Sequence, residues 1–549
     1  MQFKDLSRIL AIFIFGFALT LVIPLLVSCH YKIFVDPASH PQDYGINAFL
    51  ASIGICLLLG AFFYYQGKRS NRKLYQREGI AAVVILWVLL PALASLPFLI
   101  SGTLNNPFQA YFEMASGFTT TGASIMTAKT YDTQTGEEIP IIRTFCGSPD
   151  VEYRYYGTIE PIRDPISNEI VLEGVEAVGK GLLFWRSFTQ WLGGVGIVVL
   201  FIAILPALGA GGRILFQAEV PGPIKDSMTP RIKEAAVQLW RIYCGLTLIQ
   251  VVLLMATNPQ MSLFDAVNIS FTTLSTGGFS VRNTSIEYYQ NNATEWVILL
   301  FMILGGINFT LYFYILRGKF YRIYEPEFFW YLAVILITAV FATWQLVGTP
   351  YIHNDGSVEG NFALGDAIRN GMFQMVSTQT TTGFVTANYD TWPYILQTLM
   401  LILMFVGGMS GSTAGGIKIM RHYMLFRIAQ AKVESLFRPY NVQTFRVADK
   451  EVDLSVANMV LCFFLILITL SVIGTFIYIL DGIDPQTSLG MVGCMVNNVG
   501  MAFRMAGPAN SFAFMSDFSL MWSSLLMIAG RLEFFVVLAV LVPAFWKKT

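Results

Sequence analysis

The chain has 549 residues, of which 55% are hydrophobic and 13% charged; 35 basic residues balance 35 acidic ones, and the mean hydropathy is +0.58. That composition excludes an ordinary soluble domain and describes a polytopic membrane protein, with no nucleic-acid partner expected.

Apolar runs able to cross about 30 Å of hydrocarbon fall at roughly residues 9–28, 47–65, 79–100, 181–208 and 235–256. Five more fall at roughly 296–316, 328–347, 394–425, 455–480 and 517–542, which predicts about ten transmembrane helices. The first run lacks a small-residue cleavage site and reads as an anchor rather than a removable signal peptide. Lysine and arginine collect in alternate loops: Lys68, Arg69, Arg72, Lys73 and Arg77, then Arg213, Lys225, Arg231 and Lys233, then Arg317, Lys319 and Arg322, then Lys418, Arg421, Arg427, Lys432 and Arg438, and finally Lys547 and Lys548. By the positive-inside rule these segments and both termini are cytoplasmic.

The longest polar stretch, 129–180, then lies outside, with ten acidic residues against five basic ones. It reads either as a negative vestibule that concentrates cations or as a solvated loop. Cys29 and Cys146 could both lie near the outer face, where a disulfide is open to them.

Internal repetition carries most of the functional information. The turn MASGFTTTGASIM (114–126) is followed by WLGGVGI (191–197), and SFTTLSTGGFS (270–280) by LGGINF (304–309). VSTQTTTGFV (376–385) precedes VGGMSG (406–411), and VNNVGMAF (496–503) precedes IAGRLEF (528–534). Each copy has a span, a short apolar segment, a Thr/Ser/Asn-rich turn with a glycine, and a second span with a small-residue pair. Four degenerate copies predict a pseudo-fourfold assembly. The short segments look like half-helices of about a dozen residues: Asn106-Pro107 and Asp484-Pro485 put a cap ahead of proline at the first helical position, and Ser262 can cap another. Such re-entrant segments survive at membrane depth only when buried in protein beside a watery path.

Four half-helices entering from outside would aim carbonyl termini, each worth roughly half a negative charge, at one point that favours a cation. Beyond them an extended backbone turning its carbonyls to the axis needs left-handed dihedrals that glycine adopts most cheaply. This is the reading of Gly122, Gly277, Gly383 and Gly500, with Thr120 and Thr121 as oxygen donors in the first turn. Rings of carbonyls replacing a hydration shell select potassium.

With these four turns, the segment AEVPGPIKDSMTPRI (218–232) and the stretch GGMSGSTAGGIK (407–418), the chain resembles the Trk/Ktr superfamily of potassium uptake proteins, in particular the Trk type with two extra N-terminal spans. The resemblance covers essentially the whole chain. It implies an all-α polytopic membrane protein of about ten transmembrane helices plus four re-entrant half-helices around one pore. The division is 1–70 (N-terminal helix pair), 71–217 (first unit with the outer insert), 218–325 (second), 326–440 (third, with an intramembrane loop) and 441–549 (fourth). It implies a filter at Thr120, Thr121 and Gly122; Ser275, Thr276 and Gly277; Thr381, Thr382 and Gly383; and Asn498, Val499 and Gly500. Glycine rather than serine in the first turn points to potassium, while the fourth turn lacks threonine. No covalent cofactor is expected, only the potassium ion. A homodimer of the pore chain, a separate cytoplasmic nucleotide-binding regulatory subunit and a bacterial inner-membrane location are likewise implied.

Gly407, Gly408, Gly411, Gly415 and Gly416 interrupt a hydrophobic run together with Ser410, Ser412 and Thr413. The break either lines a cavity or packs helices closely through small residues; by resemblance it is the gating loop below the filter. Arg531 within the last span is costly, about 2.5 to 3.5 kcal/mol at a helix centre on insertion scales. It either faces the pore, as the family arginine does, or snorkels to the inner face; Glu533, two residues on, points elsewhere on a helix. Glu113, Asp265, Asp366 and Arg369 lie on or near the half-helices and read as caps, ion pairs or vestibule charges. His30, His40, His353 and His422 show no metal spacing and no nucleotide-binding glycine motif appears, so an enzyme has no supporting site. Gated channel-like potassium uptake is the leading expectation, with potassium symport coupled to protons or sodium as the alternative. An organic-solute transporter would show inverted repeats and paired broken helices instead.

Overall fold

The structure, a computed structural model, describes residues 3–36, 40–68, 76–132, 135–145, 151–164, 166–196, 232–438, 445–447, 450–452 and 454–547. The basic segment 218–231 and Cys146 lie outside the described residues.

Helices α1 (Phe3–Thr20) and α2 (Val22–Phe34) run on as one apolar span of 32 residues. They are followed by α3 (Ile46–Gln66), α4 (Gln76–Ile100), the short α5 (Pro107–Phe118) and α6 (Lys180–Trp191). Next come α7 (Ile232–Thr257), short α8 (Leu263–Leu274), α9 (Asn292–Gly305), α10 (Phe309–Leu316), α11 (Pro326–Leu346) and α12 (Leu364–Gln379). The last quarter holds α13 (Tyr394–Met404), α14 (Ile419–Phe437), α15 (Leu454–Leu480), short α16 (Pro485–Asn497), α17 (Asp517–Arg531) and α18 (Phe535–Leu541).

Among the described residues six helices are long and apolar enough to cross a membrane, or eight if two bent pairs each count once. The expected ten differ for physical reasons. The run 394–425 is not one helix: α13 stops at Met404, just ahead of the five glycines, whose backbone entropy disfavours a helix. The run 181–208 is helical to Trp191 and continues as a π turn over Leu192–Gly196, where the description ends. The second and fourth small-residue motifs break their spans: α9 and α10 meet at 94°, and α17 and α18 at 117°.

The four half-helices begin as the caps predict. Asn106 Oδ1 accepts from Phe108 N at 2.8 Å, Ser262 Oγ from Asp265 N at 3.0 Å, and Asp484 Oδ1 from Gln486 N and Thr487 N at 3.1 Å; α12 alone starts without a side-chain cap. Their packing follows one rule. Besides the flanking helices of its own unit, each half-helix touches the second long helix of the unit before: α8 touches α6, α12 touches α9, α16 touches α13, and α5 touches α17 of the last unit.

The all-α reading needs one revision, because the polar connections fold back as five two-stranded antiparallel ladders among the described residues. Three lie in the outer insert: Thr130–Tyr131 with Glu138–Ile139, Ile141–Phe145 with Val151–Tyr155, and Ile162–Arg163 with Ile170–Leu172. In the second, Val151 and Tyr153 alternate with exposed Glu152 and Arg154, a two-residue period that seats one face on Met505, Ala513 and Phe514. Tyr153 Oη also donates to Asp484 Oδ2 at 2.8 Å and accepts from Asp484 N at 2.9 Å, so the insert of the first unit clasps the cap of the fourth half-helix.

Candidate functional site: four turns in a ring

Each half-helix ends in the same backbone figure. A residue in the left-handed region follows the last helical turn: Thr120 (φ 54°), Thr276 (φ 53°), Thr381 (φ 57°) and Asn498 (φ 56°). The next amide reaches back five residues: Thr121 N to Ser116 O (2.9 Å), Gly277 N to Thr272 O (2.8 Å), Thr382 N to Ser377 O (2.8 Å) and Val499 N to Cys494 O (3.0 Å). Then comes a glycine with positive φ: Gly122 (87°), Gly278 (77°), Gly383 (82°) and Gly500 (86°). Three of the four leading residues are β-branched, for which this region is strained by about 1 to 3 kcal/mol each.

This register corrects the second turn by one residue. Gly277 is not left-handed and sits where Thr121, Thr382 and Val499 sit; Gly278 is the partner of Gly122, Gly383 and Gly500. The tandem glycines of STGGFS leave the frame ambiguous in sequence, and the backbone decides it: of the two, only Gly278 has a positive φ.

The four turns close on one another. A Cβ at Gly122 would collide with the Gly277 carbonyl oxygen, at Gly278 with that of Thr382, at Gly383 with that of Val499, and at Gly500 with that of Thr121. Carbonyls of successive turns therefore lie side by side in a closed cyclic order. The Thr121 hydroxyl, expected as an oxygen donor, is engaged elsewhere: it pairs with Thr119 Oγ1 at 2.7 Å and accepts from Asn498 Nδ2 at 2.9 Å. The divergent Asn498 is thus a strut, its amide also donating to Met527 O at 2.9 Å.

Behind the ring stands a buried scaffold, in which Glu113 takes the ion-pair role open to it in sequence and whose Arg186 and Gln190 sequence reasoning missed. Arg186 on α6 donates to Glu113 Oε1 on α5 at 2.6 Å and to Ser280 O at 2.7 Å, and lies over the Phe279 ring at 3.5 Å. Glu113 in turn accepts from Ser124 Oγ and Ile125 N, both at 2.9 Å. Gln190 donates to Gly277 O at 2.7 Å and accepts from Phe279 N at 3.1 Å. The other charges near the half-helices are paired too: Arg282 with Asp265 (2.8 Å) and Glu176 (3.3 Å), and Arg369 with Glu295 and Asp366 (both 3.2 Å).

The glycine-rich stretch passes directly beneath, between α13 and α14. Gly415 N donates to Thr381 Oγ1 at 2.7 Å, and Thr413 Oγ1 donates to Leu274 O at 2.9 Å, at the C-terminus of α8. Gly407 has no room for a side chain, since a Cβ there would lie 2.5 Å from Gly415 O; one at Gly408 would lie 2.9 Å from Gly306 O. Gly411 (φ 75°) and Gly416 (φ 65°) take the positive-φ bends. Side chains of α17 and α11, and one of the stretch itself, hold it in place. Arg531 Nη1 donates to Thr413 O at 2.9 Å and its Nη2 to Gly193 O at 3.1 Å; Glu327 Oε1 on α11 accepts from Ser410 N at 2.6 Å; buried Lys418 donates to Ala414 O. Arg531 is therefore turned inward, away from a snorkelling pose, and Glu533 pairs instead with Arg421 of α14.

Comparison with known proteins adds to this geometry. The family described as TrkH, cation transport protein, matches residues 169–548. The chain belongs to the TrkH family. Over its full length it is 30% identical to the Trk system potassium uptake protein TrkH of Salmonella typhimurium and 32% identical to that of Vibrio parahaemolyticus, covering all of each. The Trk system potassium uptake protein TrkG of Escherichia coli K12 is 29% identical over 97% of this chain and 96% of its own. The crystal structure of the potassium transporter TrkH from Vibrio parahaemolyticus superposes with a TM-score of 0.78 at 29% identity, covering all of both chains. This TrkH family member is accordingly a multi-pass membrane transport protein and not an enzyme.

Outside the spans, the acidities of Asp390 and Tyr153 are among those shifted. Burial, opposed by Arg504, raises the Asp390 carboxyl to about 7, and burial above all pushes the Tyr153 phenol to about 12.

Proposed function

We propose that this chain takes up potassium across the bacterial cytoplasmic membrane by channel-like flux through the ring of four turns. The observation that carries the reading is the closed cyclic contact of four left-handed glycines with four neighbouring backbone carbonyls. A pseudo-fourfold ring of carbonyls can replace a hydration shell, and the C-termini of four half-helices add negative potential at the same place. The filter in this reading comprises Thr120, Thr121 and Gly122; Thr276, Gly277 and Gly278; Thr381, Thr382 and Gly383; and Asn498, Val499 and Gly500. The glycine-rich loop from Gly407 to Gly416 obstructs the path beneath, and Arg531 both holds it and repels cations.

Full-length similarity to proteins named as potassium uptake proteins supports potassium as the ion. A coupled symporter would call for a second ion site. Glu113, the buried carboxylate beside the ring, is taken up by Arg186, which favours uncoupled flux. A pore-chain homodimer, a cytoplasmic nucleotide-binding regulatory subunit and cytoplasmic termini belong to the same proposal.

The test is reversal potentials of purified protein in planar bilayers under potassium, rubidium and sodium gradients at two pH values. Reversal should follow potassium and ignore the pH gradient. Reversal that follows sodium equally well sinks the filter, and a shift with the pH gradient sinks uncoupled flux.

A further inference from the structure

The leading residues of the four turns, Thr120, Thr276, Thr381 and Asn498, share one backbone conformation, yet their side-chain oxygens are used differently. Thr120 Oγ1 is buried with no hydrogen-bond partner among the described residues, and Thr276 Oγ1 donates to Ser275 O at 2.6 Å. Thr381 Oγ1 alone accepts a backbone amide of the glycine-rich loop, from Gly415 at 2.7 Å. The fit there is tight on two quadrants at once: a Cβ at Gly415 would lie 3.2 Å from Thr381 Oγ1 and 3.1 Å from Asn498 Cβ, and would overlap the Asn497 carbonyl.

We propose that Thr381 is shared between the innermost cation position of the ring and the glycine-rich loop, so that cation occupancy and withdrawal of the loop are coupled. The inference rests on reading the ring as a filter and the loop as its gate. An amide N–H presents the positive end of a dipole, and a cation at the same hydroxyl oxygen presents a full positive charge; the two oppose each other on one acceptor. Arg531, bound to Thr413 O two residues before Gly415, adds a full positive charge to this part of the loop. A potassium ion at the inner end of the ring therefore weakens the seat of the loop, and by reciprocity a seated loop weakens that ion site. The permeant ion acts as an opener of its own gate, and the third quadrant is the one through which it acts.

The experiment records open probability in planar bilayers as symmetrical KCl is raised at fixed ionic strength, with N-methylglucamine as the replacement cation. Wild-type open probability should rise with potassium. Thr381→Ala should be about fivefold more open at low potassium, the shift corresponding to one net hydrogen bond, and should lose the dependence; Thr381→Ser, keeping the hydroxyl, should restore both. Thr413→Val removes the loop's donor to Leu274 O and Gly305 O without touching a hydroxyl of the ring, and should open the gate while preserving the dependence. A wild-type-like dependence in Thr381→Ala, or its loss in Thr413→Val, overturns the coupling. The same records give potassium–sodium reversal potentials: discrimination with unaltered Thr381→Ala gating overturns the coupling alone, whereas no discrimination in wild type overturns the filter reading with it.

Discussion

Exchanging Gly278 for alanine tests the register of the second turn against its neighbour. Gly278 has φ 77°, a region that costs an L-residue about 1 to 2 kcal/mol. Its new methyl would also run into the Thr382 carbonyl oxygen of the third turn, a backbone atom that cannot swing aside. Forcing that overlap adds about 1 to 3 kcal/mol. Gly277→Ala meets only the terminal amide of Gln190, and its cost is limited to the two hydrogen bonds of that amide, about 1 kcal/mol each. Since 1.4 kcal/mol is tenfold in an equilibrium, Gly278→Ala should lower potassium-over-sodium discrimination by about tenfold or more, beyond any loss from Gly277→Ala. Bi-ionic reversal potentials in planar bilayers measure both. Discrimination abolished by Gly277→Ala and retained by Gly278→Ala refutes the register and the carbonyl ring built on it.

Three further outcomes follow from the geometry. Arg531→Gln removes the charge and the guanidinium donor that holds the loop at Thr413 O, so potassium flux into proteoliposomes should rise; unchanged flux counts against a barrier at this residue. Arg186→Met leaves Glu113 as a buried, unpaired charge and should destabilise the detergent-solubilised protein by about 3 to 5 kcal/mol, with much of the loss recovered when Glu113→Leu is added; a melting curve that Arg186→Met does not shift contradicts the buried pair. Asp390 has its carboxyl raised from 3.8 to about 7, burial being the main cause, so the folded protein holds a proton that the unfolded chain gives up. Its contribution to stability is complete below about pH 4 and is lost as pH rises through about 7. Asp390→Asn should thus flatten the fall in melting temperature between about pH 5 and pH 8, and an equally steep fall in the variant contradicts it.

The parts of this architecture legible from sequence are those with a local cause. Proline after a capping residue fixes where α5 and α16 begin, and hydroxyl-rich turns with glycine mark where the half-helices stop. What sequence does not carry is any comparison between turns. Adjacent Gly277 and Gly278 are chemically identical, and only the positive φ of Gly278 and the nearby Thr382 carbonyl distinguish them. Thr121 and Asn498 are likewise 377 residues apart, so the use of one hydroxyl by the other's amide has no local trace. Glu327 is an acid at a helix start, a place the helix dipole favours in any case; its bond to Ser410 N depends on the path of a loop 83 residues away. The broken spans were missed because hydropathy counts apolar residues and is blind to direction: the 94° and 117° bends cost the pattern nothing.

The clasp of Tyr153 on Asp484 joins positions 331 residues apart, and the Thr127–Ser511 hydroxyl contact spans 384. Both bind the first third of the chain to its last quarter. During synthesis three quarters of the ring can be inserted while its remaining side stays open to neighbouring segments, with neither clasp available until the final quarter emerges. Closure is therefore the last event of assembly, and contacts of such long separation are slow to form. A partly made chain has no complete circle of carbonyls, so under the proposed function selection among cations waits for the last unit.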